Sequence, residues 1–448
     1  MVDATDKYRE LSELAHEISR CGRCGFCQSV CPVYHVSGLE GSVARGRNMF
    51  AKALASGGLE LARENETLFS ECLLCRACVD ACFSSVKTDE IVVAGRRARG
   101  RICGVPPFHK YVFERLLLDH RRLGRLVRLA RAGRPAARTA ASALRMFGWF
   151  PALDRTAEFM AQVPAESFRE RLTRKGGSRT VLTGASTVSA TLFIGCGTNF
   201  MFPDAGEATV SILDALGYRV AVVEHGCCGL PAYSHGALDA AVRLAVSNIS
   251  RFTQTEGPIV TDCSSCAYFL KEYPRLLSLG KADDETLAEA QTFTSRVRDI
   301  TELLPELTAA NLGTRCGTMS PNYGGMHPRR TVDLRVTFHE PCHLGRGQRL
   351  GSLARTVFSW LPVEYVEMKE AAWCCGGAGA FALEHADLSL KILDRKLENF
   401  RATGAQVLVT TCPSCLMQLR SGLARLATSA RVMHLTELVR HCKLKLVE

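Results

Sequence analysis

The sequence predicts an α+β multidomain chain: a helical, cysteine-rich N-terminal domain, then two duplicated α/β domains related by a pseudo-two-fold axis. Three observations carry that prediction. The chain has 448 residues, enough for more than one hydrophobic core, and 21 cysteines. Two four-cysteine runs of identical spacing fall before residue 83. A different cysteine set occurs twice in the remainder, at an offset that stays between 146 and 149 residues.

Composition removes several classes at once. Hydrophobic residues make up 47% and charged residues 23%, which excludes a disordered or fibrous chain. A disulfide scaffold would be short and secreted. The opening MVDATDKYRE has no basic stretch leading into an apolar one, so no secretory signal is read, and no run approaches the ~20 apolar residues of a membrane span. The thiols are therefore expected in a reducing cytoplasm, where dense cysteine points to metal. The formal charge of +11 counts every thiol as neutral, so part of it is expected to balance anionic cofactors.

Residues 1–105 form the first expected domain. Cys21, Cys24, Cys27 and Cys31 read C-x2-C-x2-C-x3-C before Pro32; Cys72, Cys75, Cys78 and Cys82 repeat the spacing, with Phe83 in place of the usual proline. Three thiols so spaced wrap three corners of a cubane while the fourth reaches the other cluster. This assigns Cys21, Cys24, Cys27 and Cys82 to one [4Fe-4S] cluster, and Cys72, Cys75, Cys78 and Cys31 to a second. Zinc sites, the alternative, usually show paired C-x2-C units. The 40 residues between the runs leave room for helices, as in helical ferredoxin domains.

Residues 106–190 are expected to be a basic helical segment and linker. Between 110 and 150 there are ten Lys or Arg and two acids, which suits a partner-binding helix, an anionic membrane surface or a plain exposed helix. Arg174–Ala190, rich in Gly, Ser and Thr, reads as the linker proper.

The third and fourth domains are expected at 191–333 and 334–448. TLFIGC (191–196), YRVAVVE (218–224) and GPIVTDC (257–263) read as strands around a helix at Glu207–Leu216, which Gly217 could cap. LRVTFHEPC (334–342), PVEYVEM (362–368) and AQVLVTTC (405–412) repeat the pattern. Strands alternating with helices imply parallel sheets. The first domain carries Cys196, Cys227, Cys228, Cys263 and Cys266; the second carries Cys342, Cys374, Cys375, Cys412 and Cys415. Each set lies at expected strand ends, where open α/β sheets gather ligands, and five soft thiolates favour iron–sulfur chemistry or zinc; spacing leaves that choice open.

At this point a resemblance becomes specific. CGRCGFCQSVCPVY (21–34), ARGR (44–47), CLLCRACVDAC (72–82), GCCGLPA (226–232), HEPCHLGRG (339–347) and WCCGGAGAF (373–381) resemble the heterodisulfide reductase and glycolate oxidase iron–sulfur subunit-like family. That family joins two [4Fe-4S] ferredoxin motifs to two CCG cysteine-rich domains and includes electron-transfer subunits of lactate and other 2-hydroxy-acid dehydrogenases. The resemblance implies a noncubane [4Fe-4S] cluster on each set of five cysteines, with zinc or a cubane in one site as the alternative. It implies an iron–sulfur oxidoreductase subunit passing electrons between a flavoprotein partner, an FAD-containing dehydrogenase or electron-transfer flavoprotein, and an acceptor. Ferredoxin and quinone stay open as carriers. The rival readings are a catalytic disulfide reductase and a zinc-binding interaction protein.

Lesser signals complete the reading. Neither G-x-G-x-x-G nor a P-loop is present around Gly376, Gly377 and Gly379, so flavin and nicotinamide are expected on a partner chain. Those glycines suit a close backbone approach to a cluster. His339 and His343, flanking Cys342, are the candidate catalytic residues as hydrogen-bond donors or proton carriers, against packing or turn-capping; His225 divides the same way. Cys103, Cys316 and Cys442 read as packing or surface thiols. The run Arg96, Arg97, Arg99, Arg101 reads as a solvated face, with a docking patch as the alternative. No nucleic-acid module is visible. The expected location is cytoplasmic, with contact at the inner membrane face left open.

Overall fold

The computed structural model describes residues 7–62, 64–132, 151–174, 189–307, 334–426 and 428–447. Residues 7–103 are helices joined by cysteine-bearing loops, with no strand among the described residues. The two longest helices, Ala44–Ala55 and Thr88–Cys103, pack with the short N-terminal helices on a core of Tyr8, Leu11, Phe50, Leu54, Phe69 and Ile91.

Eight short strands follow in two parallel sheets. The first has the order β2-β1-β3-β4, from β1 (Ser189–Leu192), β2 (Arg219–Ala221), β3 (Ile259–Thr261) and β4 (Val297–Asp299). The second repeats it as β6-β5-β7-β8, from β5 (Arg335–Phe338), β6 (Glu364–Tyr365), β7 (Val407–Thr410) and β8 (Arg431–His434). All pairs are parallel. The central strands β3 (IVT) and β7 (VLVT) are buried along their whole length, as β-branched runs covered on both faces should be. One apolar core runs through both sheets, from Leu192, Val220 and Val260 to Val336, Phe338 and Val409.

Six strands fall on or beside runs that the sequence marks. β4 and β8 carry no such mark, because VRD and RVMH are too short and too polar to stand out. The helix expected at Glu207–Leu216 begins earlier, at Pro203, and ends at Ala215 before Gly217, which adopts φ +83°. Of the basic segment, His120–Ala132 is a helix whose Arg121 pairs with Glu224 and Arg128 with Glu170. Its remainder to residue 150, most of the expected linker, and Cys316 lie outside the described residues.

The arginine run is not a solvated face. Part-buried Arg96 donates to the carbonyls of Phe69, Ser70 and Cys72 at 2.6–3.1 Å, and to that of Ser234 at 2.5 Å. It thereby holds the loop entering the second cysteine run against the first α/β domain. Arg99 and Arg101 pair with Glu66 and Glu10. Replacing Arg96 with Met strands those carbonyls. We expect a loss of ~2–4 kcal/mol in urea unfolding, since hydrogen bonds from a charged donor contribute ~1.5–3 kcal/mol each when buried. A change within ~0.5 kcal/mol would mean the clamp carries no weight.

Candidate metal centre

The cysteines of the two five-cysteine sets lie in the segments that follow the carboxyl ends of strands. β1 runs through Phe193, Ile194 and Gly195 into Cys196, which opens the helix Cys196–Met201. β3 runs through Asp262 to Cys263, the N-cap of the helix Ser264–Lys271, whose sulfur accepts from Cys266 N at 3.4 Å. β5 leads to Cys342, and β7 through Thr411 to Cys412, the N-cap of Pro413–Arg425. Helix N-termini favour thiolate over thiol. In each sheet the two central strands lie where the strand order reverses, the place where open sheets expose ligand sites.

The paired cysteines enter on tight turns. Gly229 after Cys228 has φ +99°, and a Cβ there would meet Phe269 at 3.2 Å. Gly376 after Cys375 has φ +80°, and a Cβ would press on the Ser389 carbonyl at 2.7 Å. The close approach at Gly376 is thus to a neighbouring helix, while Gly377 lies nearer a thiol, its Cβ position 3.4 Å from Cys375 Sγ.

The ten thiols form one continuous series. In the first set Cys196 hydrogen-bonds Cys227, Cys227 bonds Cys228, Cys228 bonds Cys266, and Cys266 bonds Cys263. Cys263 then bonds Cys412 of the second set, which continues through Cys415, Cys375 and Cys374, with Cys342 beside Cys374. Eight of the ten are buried, and Cys196 and Cys342 are half-buried. The junction is braced across the domains: Ser264 Oγ lies 2.7 Å from Thr411 Oγ1, Ser265 Oγ lies 3.2 Å from Cys412 Sγ, and His434 Nε2 donates to the Asp262 carbonyl at 2.9 Å.

Electrostatics within the series divide the thiols. Hydrogen bonds from neighbouring thiols hold Cys228 down at about 5 and Cys375 and Cys412 well below the usual range. Cys196, Cys374 and Cys415 are driven far up by hydrogen bonds to neighbouring thiols and then by burial, and Cys227 is also raised. A protein-only environment thus leaves a mixture of thiols and thiolates. A bound metal would deprotonate the whole set. Soft, buried, unoxidised thiols fit iron–sulfur or zinc, and the described cysteines form no disulfide.

The N-terminal runs converge on two places. Cys31 lies with Cys72, Cys75 and Cys78 around a small pocket that Arg47 also lines. Burial pushes Cys75 up to about 11. Cys21 and Cys27 act on each other, Cys24 is exposed, and an edge contact of Phe26 with Phe83 at 4.8 Å draws the loop of Cys82 to them. Cys75 in turn neighbours Cys342 and Cys374, so the second run abuts the second α/β site.

Of the histidines, His339 is buried and engages Cys375, and a ring nitrogen and the sulfurs of Cys375 and Cys415 all lie within 4.8 Å of one another. His343 Nδ1 lies 2.9 Å from Ser265 Oγ, and its ring stacks on Tyr268 at 4.7 Å. Burial lowers it to about 4. His225 donates from Nδ1 to the Gly226 carbonyl at 2.7 Å and stacks on Phe193 at 4.0 Å. Cys103 is exposed and Cys442 buried away from both sets. Sequence reasoning missed Ser265, Lys396 and the role of Arg47. Arg47 lies within ARGR and is buried with its Nη2 unpartnered; burial pushes Cys31 up, and Arg47 partly offsets that.

Comparison with known proteins agrees with this arrangement. A 4Fe-4S dicluster domain matches residues 17–86, and the CCG cysteine-rich domain matches twice, at 190–271 and 336–420. The probable glycolate oxidase iron–sulfur subunit of Bacillus subtilis (strain 168) is 29% identical over 435 residues, 94% of this chain and 93% of its own length. The glycolate oxidase iron–sulfur subunit of Escherichia coli (strain K12) is 28% identical over 424 residues, 94% of this chain and 92% of its own. Lactate utilization protein A of Geobacillus thermodenitrificans (strain NG80-2) is 28% identical over 257 residues, 57% of this chain and 99% of its own. A hypothetical protein from Helicobacter pylori shares the fold at a TM-score of 0.50 and 8% identity, covering 99% of this chain and 77% of that one. Fold and cysteine sets together define an iron–sulfur protein with a dicluster domain and two CCG domains. Along nearly its whole length the chain is similar to iron–sulfur subunits of glycolate oxidase.

One buried group beside the first CCG site sets a pH limit. The His120 ring packs 5.1 Å from His225 and 5.7 Å from Phe200, with both nitrogens unpartnered. Burial, and then Arg169, hold it down at about 3 against an ordinary 6.5. The unfolded chain therefore takes up the proton first. This contribution to stability is complete above about pH 6.5 and is lost as pH falls towards 3, by up to ~1.4 kcal/mol per pH unit. Unfolding measured between pH 4 and 7 should show a shallower slope in His120→Leu than in the parent; equal slopes would contradict this.

Proposed function

We propose that the chain is the iron–sulfur subunit of a 2-hydroxy-acid-oxidising complex, passing electrons between a flavoprotein partner and an acceptor. The observation that carries this reading is the unbroken order of cysteine sets, from an exposed pair of loops, through Cys75, to Cys342 and Cys374, and across Cys412 to Cys263. The relatives, glycolate oxidase iron–sulfur subunits and lactate utilization protein A, supply the substrate class and imply a flavin-bearing partner.

In this reading Cys21, Cys24, Cys27 and Cys82 hold one [4Fe-4S] cluster, and Cys31, Cys72, Cys75 and Cys78 a second. The two CCG sets hold a [4Fe-4S] group each, noncubane by resemblance to heterodisulfide reductase. These groups supply one-electron redox stations whose potentials follow burial and hydrogen bonding. The chain's own residues order them, exclude water and balance their charge: Arg47 beside Cys31, Arg346 beside Cys75 and Cys342, Lys396 beside Cys375. The domains are assigned as 1–105 helical ferredoxin-type, 106–190 basic segment and linker, and 191–333 and 334–448 the two CCG units about a pseudo-two-fold. The matching strand orders and the Cys263–Cys412 contact support that symmetry.

Among the described residues no helix is long and apolar enough to cross a membrane. An exposed aromatic pair, Phe26 and Phe83, sits beside the more exposed cysteine set and suits an electron-transfer partner there.

A direct test is anaerobic mixing of purified chain with the cognate FAD-dependent dehydrogenase and glycolate or lactate. The visible iron–sulfur absorbance of the chain should bleach only when both dehydrogenase and substrate are present. Reduction of a disulfide by reduced viologen, without bleaching through the dehydrogenase, would favour the disulfide reductase instead.

A further inference from the structure

The two CCG repeats align in sequence at offsets of 146 to 149 residues, and the pairings expose a difference. Phe193 N bonds the Val260 carbonyl at 2.8 Å, and His339 N bonds the Val409 carbonyl at 2.8 Å. These two residues hold one position, three residues before Cys196 and Cys342. The helices after the paired cysteines align by the same logic. A Cβ on Gly229 would meet Ala241 O and Leu244 Cβ, and one on Gly376 would meet Ser389 O and Ile392 Cβ, an offset of 148 in both pairs. The same offset sets Asn248 opposite Lys396.

Each pair does a common job with different chemistry. Asn248 accepts from Gly226 N at 3.1 Å and donates to the Cys227 carbonyl at 2.9 Å, tying down the strand that leads into the first cysteine pair. Lys396 donates to the carbonyls of Glu370 and Ala371 at 2.5 and 3.1 Å, tying down its equivalent. But Lys396 is fully buried and feels the sulfurs of Cys375, Cys374 and Cys415. Phe193 is apolar and stacks on His225. His339 brings a ring nitrogen to within 4.8 Å of the sulfurs of Cys375 and Cys415 and engages Cys375.

Other charges do not cancel the contrast. The carboxylate of Glu370, nearest to Lys396, is engaged by Arg395 and Asn399. On the first repeat's side the buried cation Arg169 donates to the Val223 carbonyl and acts on His225 and His120. Arg346 adds a further positive charge near Cys342.

Resting on the reading that both repeats hold iron–sulfur groups, we propose that the second CCG site is the more oxidising of the two. His339 and Lys396 give it a polar N–H partner and a buried positive charge, where the first site has Phe193 and Asn248. Reduction adds negative charge in a low-dielectric interior, so a cation and a hydrogen-bond donor at the sulfurs stabilise the reduced state. The second site also abuts the dicluster domain through Cys75, so it is the first of the pair to meet an arriving electron and the one that holds it.

The test is a potentiometric titration of anaerobically purified full-length protein, followed by paramagnetic resonance, with iron and sulfide assayed per chain. His339→Phe and Lys396→Asn, which copy the first site, should each lower the midpoint of one CCG-site signal towards that of the other. His339→Gln keeps an N–H donor and should restore most of the parent value. Asn248→Lys should raise the midpoint of the other signal. Iron equal to the parent confirms that a variant is loaded and folded, and His339→Phe, which adds no polar group to the core, carries the test should Lys396→Asn fail to fold. Midpoints that stay put in loaded variants, or that move together, would overturn the inference alone. Absence of any CCG-site iron in the parent would overturn the functional reading and the inference with it.

Discussion

Thiolate sulfurs packed against one another in a protein interior are tolerable only if positive charge is shared among them. Nine of the ten CCG thiols lie in one hydrogen-bonded series with Cys342 beside it, eight of the ten are buried, and the protein alone leaves some ionised and others forced neutral. The energetic demand for a cation explains features that otherwise look unrelated. Cysteines cap helix N-termini, Lys396 is buried without a carboxylate partner of its own, and Arg47 and Arg346 turn towards thiols. Each lowers the cost of negative charge at the sulfurs.

The same constraint shapes the fold around the sites. Parallel strands deliver their carboxyl ends to one edge, and repeating the sheet order 2-1-3-4 delivers two such edges. A shared apolar core fixes the sheets relative to each other, so Cys263 and Cys412 meet rather than facing solvent separately. The helical N-terminal domain is fastened by a few cross-domain bonds: Arg96 to the Ser234 carbonyl, Arg76 to the Tyr268 hydroxyl, and Arg349 to Asp80. Together with an apolar cluster that joins Val33, Leu73 and Ala77 to Trp373, Phe381 and Ile392, these hold Cys75 beside Cys342.

Much of this is legible in the sequence, for identifiable reasons. Metal ligation demands fixed local spacing, so the two C-x2-C-x2-C-x3-C runs and the two CCG sets stand out in one dimension. Duplication leaves a near-constant offset, which marks two α/β units of like topology. β4 and β8 escape because edge strands buried on one side need only two or three apolar residues. Arg96 misleads because an arginine satisfied by carbonyls from distant loops looks, in sequence, like any other surface arginine. The Cys263–Cys412 contact is invisible there, since no local pattern records which face of one domain meets the other. The His339–Phe193 difference is readable from the offset, but its meaning comes only with the position of His339 against Cys375 and Cys415.

The central claim is that the CCG sets, like the N-terminal runs, hold iron–sulfur groups and are more than a structural junction. It is tested most directly by iron, acid-labile sulfide and zinc per chain on anaerobically purified protein, with paramagnetic resonance of oxidised and reduced samples. The account predicts about 16 iron, four groups of about four, with an oxidised-state signal unlike that of a cubane. About 8 iron, with zinc or nothing in the remainder, would contradict it and leave a two-cluster carrier with structural C-terminal domains.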